Sequence, residues 1–196
     1  MYSRFHVLLV LIAVLLAGFA LPHTDTQDSR ETEREEDVGL IRQLFVLDKM
    51  KPEVERVGLI WKKGVSGQEK TLRIAKRATA SIDGKLFIAY VEGKSEVPEQ
   101  FRTMTRKHDV QALWIVENDG IVNASTPQKY LIENAVKEGI PLLAPTKDWV
   151  DAGAPVAIGK TNGEVEIMLN EPAADATGLQ VPNEYKSRTQ PVVAAN

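Results

Sequence analysis

From Val38 onward, the apolar residues alternate between helical and strand-like spacing. Apolar residues that recur every three or four positions predict an amphipathic helix that ends near Met50, before Pro52. The same spacing predicts further helices over Ser66–Gly84, Val97–His108, Thr126–Glu138 and Lys147–Ala152. Compact apolar runs between the helices predict buried strands at Val57–Trp61, Lys85–Val91, Val110–Val116, Ile140–Ala144 and Val156–Gly159.

Strands that alternate with helices over short connections indicate βαβ units, in which the strands run parallel. The sequence therefore predicts a doubly wound, flavodoxin-like α/β domain, with a mainly parallel sheet of about five strands and helices on both faces. A sixth apolar run, Val165–Asn170, predicts a further strand that forms a hairpin or an edge. We expect one such lobe over residues 38–183 and a disordered tail over 184–196.

The first twenty residues have the pattern of a secretory signal peptide. A basic residue, Arg4, precedes an apolar run from Val7 to Ala17, and small residues lead to Ala20. This run is shorter than the roughly 20 residues that span a bilayer. We expect cleavage after Ala20 and a periplasmic or secreted protein without a stable membrane span; a retained anchor is the alternative. The polar, highly charged segment 21–37 predicts a disordered linker.

The charge and the cysteine content limit the classes of binding partner and the cellular compartment that we expect. The formal net charge is -3, and the lysines and arginines are scattered along the chain, so nucleic acid is not an expected partner. The chain has no cysteine, which excludes disulfides and thiolate metal sites. An exported domain without disulfides fits a bacterial cell envelope better than a small, disulfide-rich secreted module.

In a parallel α/β sheet, ligands bind outside the carboxyl ends of the strands. Here the candidate loops are Lys62–Gln68, Glu92–Glu96, Glu117–Asn123, Pro145–Trp149 and Lys160–Asn162. The first loop contains two glycines and Ser66 before a helix, so its N–H groups can hold an anion; an ordinary strand-to-helix turn is an equal alternative. It lacks both GxxxxGK[ST] and GxGxxG, so no nucleotide cofactor is predicted.

Two further loops carry candidate binding groups. Asn118 and Asp119 can bind an ammonium or a hydroxyl group, coordinate a metal weakly, or simply shape an Asx turn. Trp149 can stack on a ligand ring, although packing in the core is the favoured alternative.

Catalytic chemistry has little support in the sequence. His108, the histidine of the predicted lobe, lies at the end of a helix and away from the candidate loops. The chain lacks a GxSxG elbow, an HExxH motif and any thiol. We therefore predict no catalytic residue, no metal ligand and no cofactor; a hydrolase that uses a carboxylate of Glu117–Asp119 is the remaining enzymatic alternative.

Several segments together resemble one lobe of the periplasmic substrate-binding proteins of ABC transporters, of the type that binds aromatic amino acids and other small ligands. The matching segments are VERVGLIW, SEVPEQFRTM, HDVQALWIVENDGIV, NAVKEGIPLLAPTKDWVDAGAPVAIG and ATGLQVP. The resemblance implies a type I periplasmic-binding-protein lobe and a non-catalytic binding role. The positions that match the family's cleft loops are Ser66, Gln68, Asn118, Asp119, Thr146 and Trp149.

The sequence also departs from that family. A full binding protein of this type has two such lobes, and the family has a helix after the strand that ends near Gly159, where this chain has Val165–Asn170. The resemblance implies a small-molecule ligand such as an amino acid, and an ABC permease or an envelope sensor protein as partner. Homodimerisation through the loop face would supply the second wall of the cleft. A ligand-free lobe that docks on an envelope protein is the alternative.

Overall fold

A computed structural model describes residues 39–116, 120–161 and 163–193, and a seven-stranded sheet lies at the centre of these residues. The strands are β1 (Arg56–Lys62), β2 (Lys85–Val91), β3 (Ala112–Trp114), β4 (Leu142–Ala144), β5 (Val156–Thr161), β6 (Glu164–Leu169) and β7 (Thr189–Pro191). The helices are α1 (39–50), α2 (Gln68–Ala80), α3 (Val97–Lys107), α4 (Ser125–Lys137), α5 (Lys147–Asp151) and α6 (Glu171–Ala176).

The strand order is β2-β1-β3-β4-β5-β6-β7. Strands β1 to β5 pair in parallel, so their carboxyl ends meet at the same edge of the sheet. Strand β6 pairs antiparallel with β5, and β7 pairs parallel with β6. The predicted doubly wound, mainly parallel α/β fold is thus confirmed, and β6 is the hairpin partner that the sequence allowed.

Helices cover both faces of the sheet, because alternate strand residues are apolar on each side. On one face, α1 and α2 pack on a core that includes Leu44, Ala78 and Trp114. On the other face, α3, α4 and α5 pack on a core that includes Phe101 and Trp149. The central strands are apolar on both faces, as expected for a buried parallel sheet.

A hydrogen-bonded pair attaches helix α1 to the centre of the sheet. Trp114, in β3, is fully buried, and its indole Nε1–H donates to Oε1 of Gln43 at 3.1 Å. Gln43 Nε2 in turn donates to the backbone oxygen of Ile158, in β5, at 3.1 Å. These bonds satisfy polar groups inside an apolar interface, where an unpaired group would be costly.

Gly58 allows helix α3 to lie close to strand β1. A Cβ atom at this position would lie 2.9 Å from Sδ of Met104 and 3.1 Å from Cδ2 of Leu113. Both distances are shorter than ordinary van der Waals contact, so a larger residue would require these side chains to shift. Glycine is therefore favoured here by packing rather than by its backbone angles.

The structure differs from the sequence prediction at several element boundaries. Helix α2 begins at Gln68 rather than near Ser66, because Gly67 has a left-handed backbone with φ 77°. Strand β3 covers Ala112–Trp114 within the predicted Val110–Val116, since the Val110 N–H donates to Met104 O and ends helix α3 there.

The largest difference is at the C-terminus. The expected disordered tail over 184–196 is wrong for its first part, because Asn183–Arg188 form a 3-10 helix and β7 then pairs with β6. Tyr185 packs against the core on the face that α1 and α2 cover, and this contact anchors the segment. The sheet accordingly has seven strands instead of about five.

The predicted signal peptide and the linker over 21–37 lie outside the described residues. Within the ranges that the structure describes, no helix has the length and apolar character that crossing a bilayer requires.

Candidate functional site

Five chain segments meet where the parallel strands end. They lie at the carboxyl ends of β1 (62–68), β2 (92–96), β3 (from 120 to 124 in the described part), β4 (145–149) and β5 (160–161 with 163–164), and we call this surface the loop edge. Because adjacent strands lie about 4.8 Å apart, the loops after β1 and β4, which flank β3, are separated by roughly 10 Å. A small molecule can therefore contact both of these loops.

The turn between β1 and α2 is held by the side chain of Gln68. Its Nε2 donates to the backbone oxygen of Lys62 at 3.0 Å, and its Oε1 accepts from the N–H of Gly64 at 3.1 Å. Gly64 and Gly67 have φ angles of 76° and 77°, which glycine adopts without strain. Gln68 thus shapes the turn, and Ser66 is exposed on it.

An ion pair joins the loops that follow β1 and β2. Lys63 Nζ lies 2.6 Å from Oε1 of Glu92, and the Glu92 N–H donates to Oε2 of Glu96 at 3.1 Å. The hydrogen bond and the charge of Glu92 raise the pKa of Lys63, and the same two contacts with Lys63 lower the pKa of Glu92. Both side chains are about two-thirds exposed, so the pair is screened by solvent.

A second connection joins the loops that follow β3 and β4. The Trp149 ring is 2% exposed and belongs to the core, and its Nε1–H donates to Oδ1 of Asn123 at 2.7 Å. The ring is therefore not available for stacking on a ligand, in agreement with the packing alternative. Instead, Trp149 fixes the position of Asn123 beside the start of α5.

Thr146 immediately precedes α5 with extended backbone angles, φ -144° and ψ 164°. Its half-buried hydroxyl group makes no capping hydrogen bond to the N-terminus of α5. Of the six residues that the resemblance nominates, the structure places Ser66 and Gln68 where the turn after β1 enters α2, and Thr146 and Trp149 at the beginning of α5. Asn118 and Asp119 lie outside the described residues.

The β5–β6 hairpin brings further polar side chains to this edge. Glu166 accepts hydrogen bonds from the hydroxyl of Thr161 and from the side-chain amide of Gln190. Arg188 pairs with Glu164, with 3.4 Å between Nε and Oε2. The hydrogen bonds within this group account for its carboxylates, so it stabilises the hairpin and the C-terminal segment.

The structure places the candidate catalytic histidine, His108, away from the loop edge. His108 ends helix α3 at the opposite edge, where its ring packs on Phe87 with 5.0 Å between centroids. Among the described residues, no group of three or more histidine, cysteine or acidic side chains could hold a metal ion.

Two loop-edge contacts were not predicted from the sequence. The Lys63–Glu92 pair follows directly from strand register, because Lys62 pairs with Val91 and the next residues are neighbours. The usable sequence signal was position, because Lys63 and Glu92 each lie just after a predicted strand. The Asn123–Trp149 bond has no comparable signal, because it depends on how a loop and a short helix pack together.

Solved structures with the same fold include a conserved domain protein from Vibrio cholerae O1 biovar eltor (TM-score 0.65, 15% identity). They also include the ABC domain in complex with L-Trp from Streptococcus pneumonia (TM-score 0.67, 12% identity). A third is the ligand-free, open structure of CD0873, a substrate binding protein with adhesive properties from Clostridium difficile (TM-score 0.64, 15% identity). Each match covers 79% of this chain and 59–60% of the other chain.

This chain thus spans about 60% of the length of these solved structures. A comparison with curated proteins gives no match. The model of one protein family, described as ABC transporter substrate binding protein, matches residues 31–168, which is most of the chain. That description concerns substrate binding rather than catalysis. The chain belongs to the ABC transporter substrate-binding protein family.

Proposed function

We propose that this protein is a non-catalytic solute-binding lobe that holds a small molecule at the loop edge. The observation that carries the proposal is the convergence of two polar loops at the carboxyl ends of β1 and β4 in a chain of this family. The exposed Ser66 and the half-buried Thr146 supply hydroxyl groups on the two sides of β3. Asn118 and Asp119, on the loop between them, remain proposed ligand contacts.

Gln68 and Trp149 act indirectly in this proposal. Both polar atoms of the Gln68 side chain bond the turn that carries Ser66. Trp149 holds Asn123, on the loop after β3, through its indole N–H. The two residues therefore set the spacing of the ligand-contacting groups, and Asn123 joins the proposed site.

We propose an amino acid or a similar polar small molecule as the ligand. The loop edge offers hydroxyl and amide groups together with the Lys63–Glu92 ion pair, which suits a ligand that carries both charges. The Streptococcus structure with the same fold is in complex with L-Trp. L-tryptophan and other amino acids are therefore the first compounds to test.

Family membership supports a role outside the cytoplasm, where such a lobe delivers or reports a ligand to an ABC permease or to a sensor protein of the envelope. The predicted signal peptide, with cleavage after Ala20, agrees with this location. Cell fractionation of the producing host, followed by N-terminal sequencing, tests it. A protein that stays in the cytoplasm with Met1 intact would contradict the proposed location.

The loop edge forms one wall of a cleft, and we propose that a second lobe faces it when the ligand is bound. A second copy of this chain is a suitable provider, because the polar surface of each copy would meet that of the other. Ligand binding and dimer formation would then occur together. Light scattering coupled to size-exclusion chromatography, with and without ligand, measures this link; tight binding by a strict monomer would exclude the second copy.

The proposed function is tested by a thermal-shift screen of the purified protein against amino acids, sugars, nucleosides and small organic acids. A ligand present at 100 times its dissociation constant adds about 2.7 kcal/mol of stability. For a domain of this size, that corresponds to a rise of about 5–10 °C in Tm. We expect the largest rise for an amino acid.

Two variants show whether the loop edge binds the compound that is found. Ser66→Ala and Thr146→Val each remove one hydroxyl group, and we expect an affinity loss of about fivefold to tenfold per hydrogen bond. Ser81→Ala is the matched control, because this exposed serine lies at the far end of α2. Equal affinity in all three variants would contradict the proposed site, and no ligand in the screen would favour a lobe that docks on an envelope protein.

A further inference from the structure

A cavity of about 780 Å³ lies at the edge of the sheet opposite the loop edge. Its walls come from the second half of α4, the turn after α5, the start of α6 and the segment that follows β7. Strand β6 runs antiparallel to β5 and pairs Leu169 with Val156, so Asn170 lies beside the beginning of β5. The cavity is therefore at the amino ends of the parallel strands, remote from the proposed solute site.

The cavity walls are mainly apolar. Ile132 and Val136 line it from α4, Pro172 lines it from α6, and Val192 lines it from the C-terminal segment. The backbone N–H of Val192 donates to Leu169 O at 2.7 Å, which holds this last wall against the sheet. A cavity with apolar walls on three sides suits the hydrocarbon part of a ligand.

One buried side chain in the cavity wall has an amide nitrogen that is available to donate a hydrogen bond. Asn170 is 5% exposed and precedes helix α6, where its Oδ1 accepts from the N–H of Ala173 at 3.3 Å. Its Nδ2 makes no hydrogen bond within the described part of the chain, although Asn170 lines the cavity. A buried amide donor without a partner is unfavourable, so an oxygen atom of a ligand would be stabilised there.

The charges at the rim restrict which ligand fits. Glu133 and Glu171 both line the cavity and are exposed to solvent. Glu133 pairs with Lys129, with 3.7 Å between Oε1 and Nζ, so the negative charge of the rim comes mainly from Glu171. This carboxylate disfavours a ligand that carries a carboxylate or a phosphate. A neutral carbonyl oxygen accepts the same hydrogen bond without this repulsion.

We propose that this cavity binds an uncharged molecule that combines an apolar chain with a carbonyl oxygen, such as an amide, an ester or a ketone. The carbonyl oxygen accepts from Nδ2 of Asn170, and the apolar chain packs between Ile132, Val136 and Val192. This site is independent of the proposed solute site, because the two lie at opposite edges of the sheet.

Hexanamide is a suitable probe, and its binding is measured by amide chemical shifts of the ¹⁵N-labelled protein. We expect saturable shifts at the amides of Val136, Ala173 and Val192, with a dissociation constant on the order of 1 mM for so small a compound. Hexanoate has the same chain but is an anion at neutral pH. We expect at least fivefold weaker binding for hexanoate.

Asn170→Asp is the decisive variant, because aspartate keeps the oxygen that caps helix α6 but lacks the Nδ2 donors. Because the NH2 group of hexanamide can donate to the new carboxylate, this variant is tested with 2-heptanone, a ketone without hydrogen-bond donors, and its binding should weaken by at least fivefold. Val136→Phe, which places a ring in the apolar part of the cavity, should weaken the binding of both compounds. The proposal is overturned if wild-type protein gives no saturable shifts, if the shifts lie at the loop edge, or if Asn170→Asp binds 2-heptanone as tightly as wild type.

Discussion

The two faces of the sheet each contain a buried tryptophan whose indole N–H donates to an amide side chain, but the two pairs connect different parts of the molecule. Trp114 and Gln43 join the end of β3, a central strand of the sheet, to helix α1. Trp149 and Asn123 join helix α5 to the loop after β3, at the edge where we propose that the ligand binds. The same chemical pair therefore stabilises the fold on one face and shapes the candidate site on the other.

This difference has a physical basis in where each bond lies. The Trp114 bond is surrounded by strands and a helix, and Gln43 also donates to a strand carbonyl, so the energy of the network contributes to folding. Asn123 is half-buried in a loop, where water can replace a lost partner. Loss of the second bond should therefore change the loop geometry more than the free energy of unfolding.

The largest expected effect is that of Trp114→Ala. The substitution removes a fully buried indole from the centre of the sheet and leaves a cavity, so the free energy of unfolding should fall by about 3–5 kcal/mol. Denaturant unfolding followed by circular dichroism measures this change. A loss below about 1 kcal/mol would show that this face does not hold the fold together.

Gln43→Ala tests the same face with a smaller change. The substitution leaves the Trp114 N–H and the Ile158 carbonyl without their partner, and the free energy of unfolding should fall by about 1–3 kcal/mol. Gln43→Glu is the control, because it keeps an acceptor for Trp114 and loses the donor to Ile158. Ligand affinity of the folded Gln43→Ala protein should stay unchanged, and a large affinity loss would remove the distinction between the two faces.

Asn123→Ala should lower the ligand affinity strongly and the free energy of unfolding only slightly, in contrast to Gln43→Ala. We expect a stability loss of about 1 kcal/mol or less, because Asn123 is half-buried, and an affinity loss of about tenfold for the ligand found by screening. Asn123→Asp keeps the acceptor for the Trp149 N–H and should retain more of the affinity. Calorimetric titration of both variants measures this difference, and an unchanged affinity in Asn123→Ala would place Asn123 outside the site.

The smallest expected effect concerns the Lys63–Glu92 pair at the loop edge. Lys63 lowers the pKa of Glu92, so the pair's contribution to stability is present above the ordinary glutamate pKa and is lost as the pH falls through the lowered value. Glu92 raises the pKa of Lys63, so the contribution is present below the ordinary lysine pKa and is lost as the pH rises through the raised value.

Glu92→Gln should abolish both of these pH dependences and leave the midrange stability almost unchanged, because the pair is exposed. Thermal unfolding from pH 3 to pH 11, about the span of both titrations, compares the variant with wild type. High salt should reduce the difference further. If Glu92→Gln lowers the stability near neutral pH as much as Gln43→Ala does, the exposed pair contributes as much to stability as the buried network.

Elements with a strong periodic pattern of apolar residues were predicted correctly from the sequence. Segments whose order depends on a few tertiary contacts were not. Strand β2 was predicted at its observed limits, because six apolar residues follow Lys85 without interruption and turn residues flank the run. Asn183–Arg188 has no apolar period, and Tyr185 alone packs on the core, so this segment was predicted to be disordered. Strand β7 has three residues and includes Pro191, which gives it little strand propensity.

The candidate site was predictable at the level of loops but not of side chains. A parallel sheet requires its strand ends to meet at one edge, so topology alone locates the loops that carry Ser66 and Thr146. The role of Gln68 as a clamp within its own turn and the burial of Trp149 depend on rotamers and on loop packing. Such contacts leave no periodic pattern of apolar and polar residues in the sequence.

Hydrogen–deuterium exchange, with and without the ligand of largest thermal shift, tests the central claim most directly. We predict slower exchange in peptides that cover residues 62–68 and 145–149 when the ligand is bound, with little change in α3 or at the amino edge of the sheet. Protection confined to the cavity around Asn170, or a stabilising ligand that leaves both loops unprotected, would contradict a solute site at the loop edge.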